Sequence, residues 1–255
     1  LDATNVINSK VSVLTNVGLG HTKILGDTIE EIITDKAGII KPNQTVISGV
    51  TQNSAKEIIR SKAKSVNSKL IQYGDDFQTY EDSEIGLIGN FQKVNAACAI
   101  EAAKAFSDKK ITKEQIETGL KKAKIAGRME ITQKNPLVIL DGAHNPDKMS
   151  ALIESLNKKY PKTKWLSVTA FKEDKDAKKM LEMIVKNSKE VIATKFTGNP
   201  LWDSFDPEEI KKLINKIDQD IEVTTHQDPI NAIGQAIKKA EINNQPVLVT
   251  GSLYL

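Results

Sequence analysis

The sequence predicts an α/β fold built on a mostly parallel sheet with helices on both faces. The first observation behind this is alternation in the second half of the chain. Apolar, β-branched runs near 137–141, 164–170, 190–194, 221–224 and 246–250 are separated by helical stripes near 146–159, 174–187, 207–217 and 228–240. Strand–helix alternation of this kind makes parallel pairs joined by crossover helices. The second observation is how those stripes begin. Asp206-Pro207 and Asp228-Pro229 each set a capping side chain before a proline suited to the first helical turn.

The first half reads similarly but less regularly. Residues 11–17, VSVLTNV, read as a buried strand followed by a turn-like GLGH. A helix starts at Asp27 or Thr28, with Ile29, Ile32, Ile33 and Ala37 on one face and Gly38 near its end. TVISGV, 45–50, is a second strand, and Ser54 with Glu57 forms a capping box for a helix over 55–66. KLIQYG, 69–74, is a third strand, while 75–89 alternates weakly and suits short antiparallel strands or a loop. An Ala-rich helix comes next over 90–106 with Asn90 as its cap, then another over 113–123 capped by Thr112 and Gln115. The handover near Ala126–Gly127 divides the chain into domains 1–127 and 128–255.

Composition narrows the function. The chain has 255 residues, enough for one or two cores, and 36 basic residues against 33 acidic ones give a net charge of +3. No basic run interleaves with aromatics, which argues against a nucleic-acid partner. The lone cysteine, Cys98, excludes an internal disulfide and fits a reducing cytoplasm. No apolar run reaches the roughly 18 residues needed to span a bilayer. Arg60 and Arg128 stand out in a lysine-rich chain, because only arginine offers a planar two-pronged donor to phosphate or carboxylate.

Residues 136–156, PLVILDGAHNPDKMSALIESL, carry the most chemistry. A strand ends at Asp141 and Gly142 breaks it. Asn145 then caps a helix that Pro146 opens, with Met149, Leu152, Ile153 and Leu156 on one stripe. An acidic residue therefore stands at a strand's carboxyl end, with His144 beside a helix N-terminus. That crevice is where open α/β sheets bind ligands, and helix N-termini attract anions. The plainer alternative is turn chemistry with an incidental histidine.

DGAHNP resembles the signature of the folylpolyglutamate synthases and dihydrofolate synthases, a branch of the Mur ligase superfamily. Other segments resemble the same family in order: TNVGLGHTKILGDT at 15–28, KAGIIKP at 36–42, GLIGNFQKVNAA at 86–97 and GRME at 127–130. The resemblance implies the remainder of a Mur-ligase-type central ATP-binding domain followed by a Rossmann-like C-terminal domain. It implies that His21 contributes to a magnesium site and that Lys36 is carbamoylated and holds a second magnesium. It implies that Gln92, with Asn95 as second choice, reads adenine, and that Arg128 contacts the nucleotide across the domain interface. Asp141 and His144 would face the γ-phosphate and incoming amino acid, and Ser252 would lie near bound glutamate. Gly20 and Phe91 depart from the family's Asp and His. His226 has no counterpart.

The activity so implied is ATP- and Mg2+-dependent ligation of glutamate to tetrahydrofolate, its polyglutamates or dihydropteroate, in a cytoplasmic monomer closing over a site between its domains. Alternatives are a ligase acting on a peptidoglycan precursor, or a non-catalytic small-molecule binder of the same fold. The second draws support from the absence of any G-x-x-x-x-G-K-[ST] loop in these residues. The chain begins at LDATN and ends on a strand-like run, as a piece of a longer protein lacking its phosphate loop would.

Overall fold

The computed structural model describes residues 3–18, 26–173, 176–196 and 203–255, the side chains of residues 3 and 4 excepted. Two compact units emerge, residues 1–86 with 90–124, and residues 87–89 with 125–255.

In the first unit, strands β1 (Val11–Leu14), β2 (Thr45–Ser48) and β3 (Lys69–Gln72) pair in parallel in the order β1-β2-β3. Helix α1 (Ile29–Lys36) opens on a complete capping box, Thr28 accepting from the Glu31 amide and Glu31 accepting from the Thr28 amide. With α2 (Asn53–Ser65) it buries Ile32, Ile33, Ile40, Val46 and Ile59 in one core. Helices α3 (Phe91–Phe106) and α4 (Lys113–Lys122) come next in the chain, and the Thr112–Gln115 capping box forms as its spacing dictates.

Two expected caps are not made. Helix α2 begins ahead of Ser54, whose hydroxyl instead hydrogen-bonds Glu30 on α1 and lowers the Glu30 pKa. Asn90 is already in a helical conformation, so its side chain makes no capping bond. A capping side chain reaches the helix amides only from an extended backbone. The segment 75–89 is irregular, with one isolated bridge, Tyr73 to Phe77.

The second unit holds six strands in the order β4-β5-β9-β6-β7-β8. Strands β5 (Leu137–Asp141), β6 (Trp165–Thr169), β7 (Ser188–Ala193), β8 (Glu222–Thr225) and β9 (Val247–Thr250) run parallel. The sequence did not announce β4 (Glu130–Lys134), an antiparallel edge paired with β5 across the Asn135-Pro136 turn. An edge strand needs only one packed face, and EITQK supplies just Ile131 as an apolar residue.

Helices α5 (Pro146–Lys159), α6 (Ala177–Asn187) and α7 (Pro207–Ile217) cover one face around Met149, Leu152, Met180, Ile184 and Ile210. Helix α8 (Pro229–Asn243) covers the other through Ala232, Ala236 and Ala240. Asn145, Asp176, Asp206 and Asp228 each accept a backbone N–H at their helix start. The chain passes from β5 through α5 to β6, and later returns through α8 to insert β9 between them. Helices therefore leave opposite faces beside β9, and a crevice forms at the carboxyl ends of β5, β9 and β6.

Candidate functional site

Asp141 is the last residue of β5 and aligns with Thr250 of β9, which aligns with Thr169 of β6. Its carboxylate is 7% exposed and acts as a bracket. Oδ1 accepts from the Ala143 amide at 2.8 Å, and Oδ2 accepts from the Met129 amide at 2.9 Å. A third bond, from the Gly142 amide to the Gly127 carbonyl at 2.8 Å, closes the junction. GRME is thus stitched to DGAHNP. Met129 adopts φ +44, rare for a residue with a side chain, while 1% exposed in the core. Its buried side chain and its bond to Asp141 over-determine that conformation, and Arg128 sits on the turn so fixed.

Burial pushes the Asp141 carboxyl above the usual carboxylate range, opposed by the Met129 and Ala143 amides and by the charges of Arg128 and Lys148. The two cations therefore act on one buried acid.

Gly142 has no room for a side chain. A Cβ there would lie 2.1 Å from Leu253 Cδ2 and 3.1 Å from Arg128 Nη1. The segment after β9 therefore folds onto the turn, carrying Ser252 with it. Ser252 is 9% exposed, and its hydroxyl accepts the Tyr254 amide at 3.1 Å. Gly251, at φ +109, permits the fold-back, since a Cβ would meet the Ala170 carbonyl at 2.3 Å.

His144 precedes the α5 cap. Its Nδ1 lies 2.8 Å from the Gly142 carbonyl, and its Nε2 lies 3.0 Å from Lys148 Nζ. Arg128, Asp141, His144 and Ser252 are thus assembled within one unit.

Gln92, Asn95 and Lys36 belong to the first unit. Gln92 and Asn95 lie on α3, where Asn95 Nδ2 donates to Gln92 Oε1 at 3.0 Å, and Gln92 is buried. Lys36 ends α1 with an exposed side chain. Its neighbour Lys41 is the anchored lysine, donating to the Gly38 carbonyl at 2.7 Å and to Asn5 Oδ1 at 2.8 Å. His21 lies outside the described residues. Among the described residues no three His, Cys, Asp or Glu side chains converge on a metal site. Arg60 makes surface ion pairs with Glu57 and Asp75. His226 is half-buried, its amide bonded to the Ala193 carbonyl. A cavity of about 330 Å³ in the first unit, lined in part by Phe77, Tyr80, Ile100 and Ile116, contains none of the candidates.

The sequence reading passed over four polar residues near the crevice. Lys148 is one. The others are Thr169, Thr194 and Thr250, at or just after strand ends, whose hydroxyls are buried without a protein partner. The signal was present in WLSVT and VLVT, apolar strands that each end on a hydroxyl.

This arrangement has relatives. The family described as dihydrofolate synthetase, C-terminal domain, matches residues 121–255, more than half of the chain. The chain belongs to the folylpolyglutamate synthase/dihydrofolate synthase family. Curated family members that it resembles include the dihydrofolate synthase/folylpolyglutamate synthase of Bacillus subtilis, 32% identical over 99% of this chain and 62% of that protein. The folylpolyglutamate synthase of Lacticaseibacillus casei is 30% identical over 100% and 62%. The chain thus spans about three-fifths of their length. A folylpolyglutamate synthase of Mycobacterium tuberculosis, solved with ADP and AMPPCP, superposes with a TM-score of 0.88 over 98% of this chain and 63% of that one, at 24% identity. That likeness is one of fold, and it is the Mur-ligase type of α/β architecture.

Proposed function

We propose that the protein carrying this sequence is an ATP-dependent amide-bond ligase that joins glutamate to a folate, through an acyl phosphate. The acceptor is tetrahydrofolate or its polyglutamates, or dihydropteroate, and the divalent cation is magnesium. The observation that carries the reading is the Asp141 bracket. It gathers an arginine, a histidine and a helix N-terminus at the carboxyl end of β5, in a chain of a family whose members are named for this ligation.

In the reaction the terminal phosphoryl group of ATP passes to a substrate carboxylate. The glutamate amine attacks the acyl carbon, and inorganic phosphate leaves as the amide forms. The protein's part is positioning and charge neutralisation. Arg128 presents its guanidinium fork to anionic oxygens of the nucleotide, and the start of α5 adds backbone N–H groups to the same task. His144 and Asp141 shape the place where phosphate and amine meet. Ser252 lies where the amino acid would bind, and Gln92, with Asn95 beside it, suits the adenine edge because an amide donates and accepts together. The working form is a cytoplasmic monomer acting on small molecules; no helix among the described residues is long and apolar enough to cross a membrane.

The test is glutamate-dependent phosphate release from ATP by the full-length protein, with dihydropteroate and tetrahydrofolate as separate acceptors. Release with at least one acceptor, accompanied by labelled glutamate in the product, is expected. ATP turnover that ignores both acceptors, or none at all, would defeat the reading.

A further inference from the structure

The two ring contacts of His144 fix more than its place. A carbonyl oxygen only accepts, so the 2.8 Å contact with Gly142 puts the ring proton on Nδ1. Lysine only donates, so the 3.0 Å contact with Lys148 needs a lone pair on Nε2. Both hold together for one species, a neutral imidazole protonated at Nδ1. A doubly protonated ring would aim an N–H at an ammonium.

Lys148 is also in an unexpected position for a lysine. It lies in the first turn of α5, where the helix dipole favours an acid such as Asp147 and disfavours a cation. Local rules broken in this way are expected at functional sites. Arg128, on the turn before β4, and Lys148 both bear on the Asp141 carboxylate at the end of β5.

We propose that Lys148 is a positioning residue of this site, donating to His144 Nε2 and holding the ring as the neutral Nδ1–H tautomer against the Gly142 carbonyl. With its lone pair engaged, His144 does not serve as the base for the incoming amine. It orients the lysine, and the lysine orients it. The functional half of this statement rests on the ligase reading, while the tautomer does not.

The experiment uses histidine labelled with nitrogen-15 in both ring positions. With three histidines in the chain, the His144 ring signals are assigned by their loss in His144→Gln. The wild-type ring should show a protonated Nδ1 and an unprotonated Nε2. Lys148→Met should let Nε2 take a proton while Nδ1 keeps its own against Gly142, and Lys148→Arg should hold the ring near the wild-type state. Because Lys148 is exposed, neither variant removes core packing. Unchanged ring signals in Lys148→Met would overturn the proposal. In the full-length protein Lys148→Met should lower kcat about tenfold with little change in KM for ATP, and Lys148→Arg should recover most of it. A changed ring protonation with unchanged kcat would overturn the functional half. If no form of the protein ligates glutamate while the ring still responds to Lys148, the ligase reading fails and the positioning contact stands.

Discussion

Asp141 shows how one side chain can serve both the fold and the chemistry. Its oxygens satisfy two buried amides, and a buried amide left without a partner costs about 1–3 kcal/mol. Asp141→Ala orphans both, so a loss of about 2–4 kcal/mol is expected in denaturant unfolding, with GRME released from DGAHNP. The same residue sets a pH dependence. Its folded-state pKa is raised, chiefly by burial, so the folded state holds the proton more tightly than the unfolded chain. The stabilisation is fully present below the unfolded value of about 3.9 and is lost as pH rises through the folded value. Asp141→Asn should remove that component, seen as a flatter stability profile just above pH 4. Two kinetic outcomes also turn on single side chains. His144→Ala should lower turnover at least about tenfold, or roughly 1.4 kcal/mol. Arg128→Lys should also damage it, since an ammonium cannot reproduce the guanidinium fork. Both effects should fall on kcat more than on nucleotide binding, measured after circular dichroism shows the variants folded.

Among the elements, α5 and the segment after β9 frame the site. Asn145 Oδ1 accepts the Lys148 amide at 2.9 Å, the bond that starts α5 under His144. Asn145→Ala should cost about 1 kcal/mol by thermal unfolding. Gly251 is less forgiving, because its φ of +109 and the Ala170 carbonyl both exclude a side chain. Gly251→Ala should cost about 1–3 kcal/mol and, by shifting the fold-back that carries Ser252, raise KM for glutamate more than KM for ATP. An equal rise in both would mean that the segment supports the fold alone.

Across the chain as a whole, each unit has its own core and its own reporter. Cys98 is fully buried on α3, and burial pushes its thiol up to about 11. A Cβ at Gly49 would lie 2.7 Å from its sulfur, so the packing leaves no approach for a reagent. A thiol so placed is inert until its surroundings open. Labelling of Cys98 should therefore follow unfolding of the first unit, while Trp165, 1% exposed in β6, reports the second. Labelling at the rate of a free thiol in native buffer would show that this core is not formed.

The elements and their class were legible in the order of residues alone. Strand–helix alternation, Asx-Pro starts and the Thr112–Gln115 capping box depend on neighbours along the chain, so periodicity and cap chemistry reveal them. The polar edge strand β4 escapes such a reading because its partner lies across the sheet. Ser54 and Asn90 are misjudged by it, because their roles depend on local backbone angles. Arg128, Asp141, His144 and Ser252 can each be picked out from the sequence, but only one by one. That they come together is a consequence of packing, because β9 must insert between β5 and β6 before the segment carrying Ser252 and Leu253 can fold onto Gly142. The exposure of Lys36 is likewise a tertiary fact, since burial is a property of what packs against a side chain. Lys148 was invisible for a different reason, since it lies only four residues from His144. One lysine among many becomes a partner of His144 only where the start of α5 turns it towards the ring.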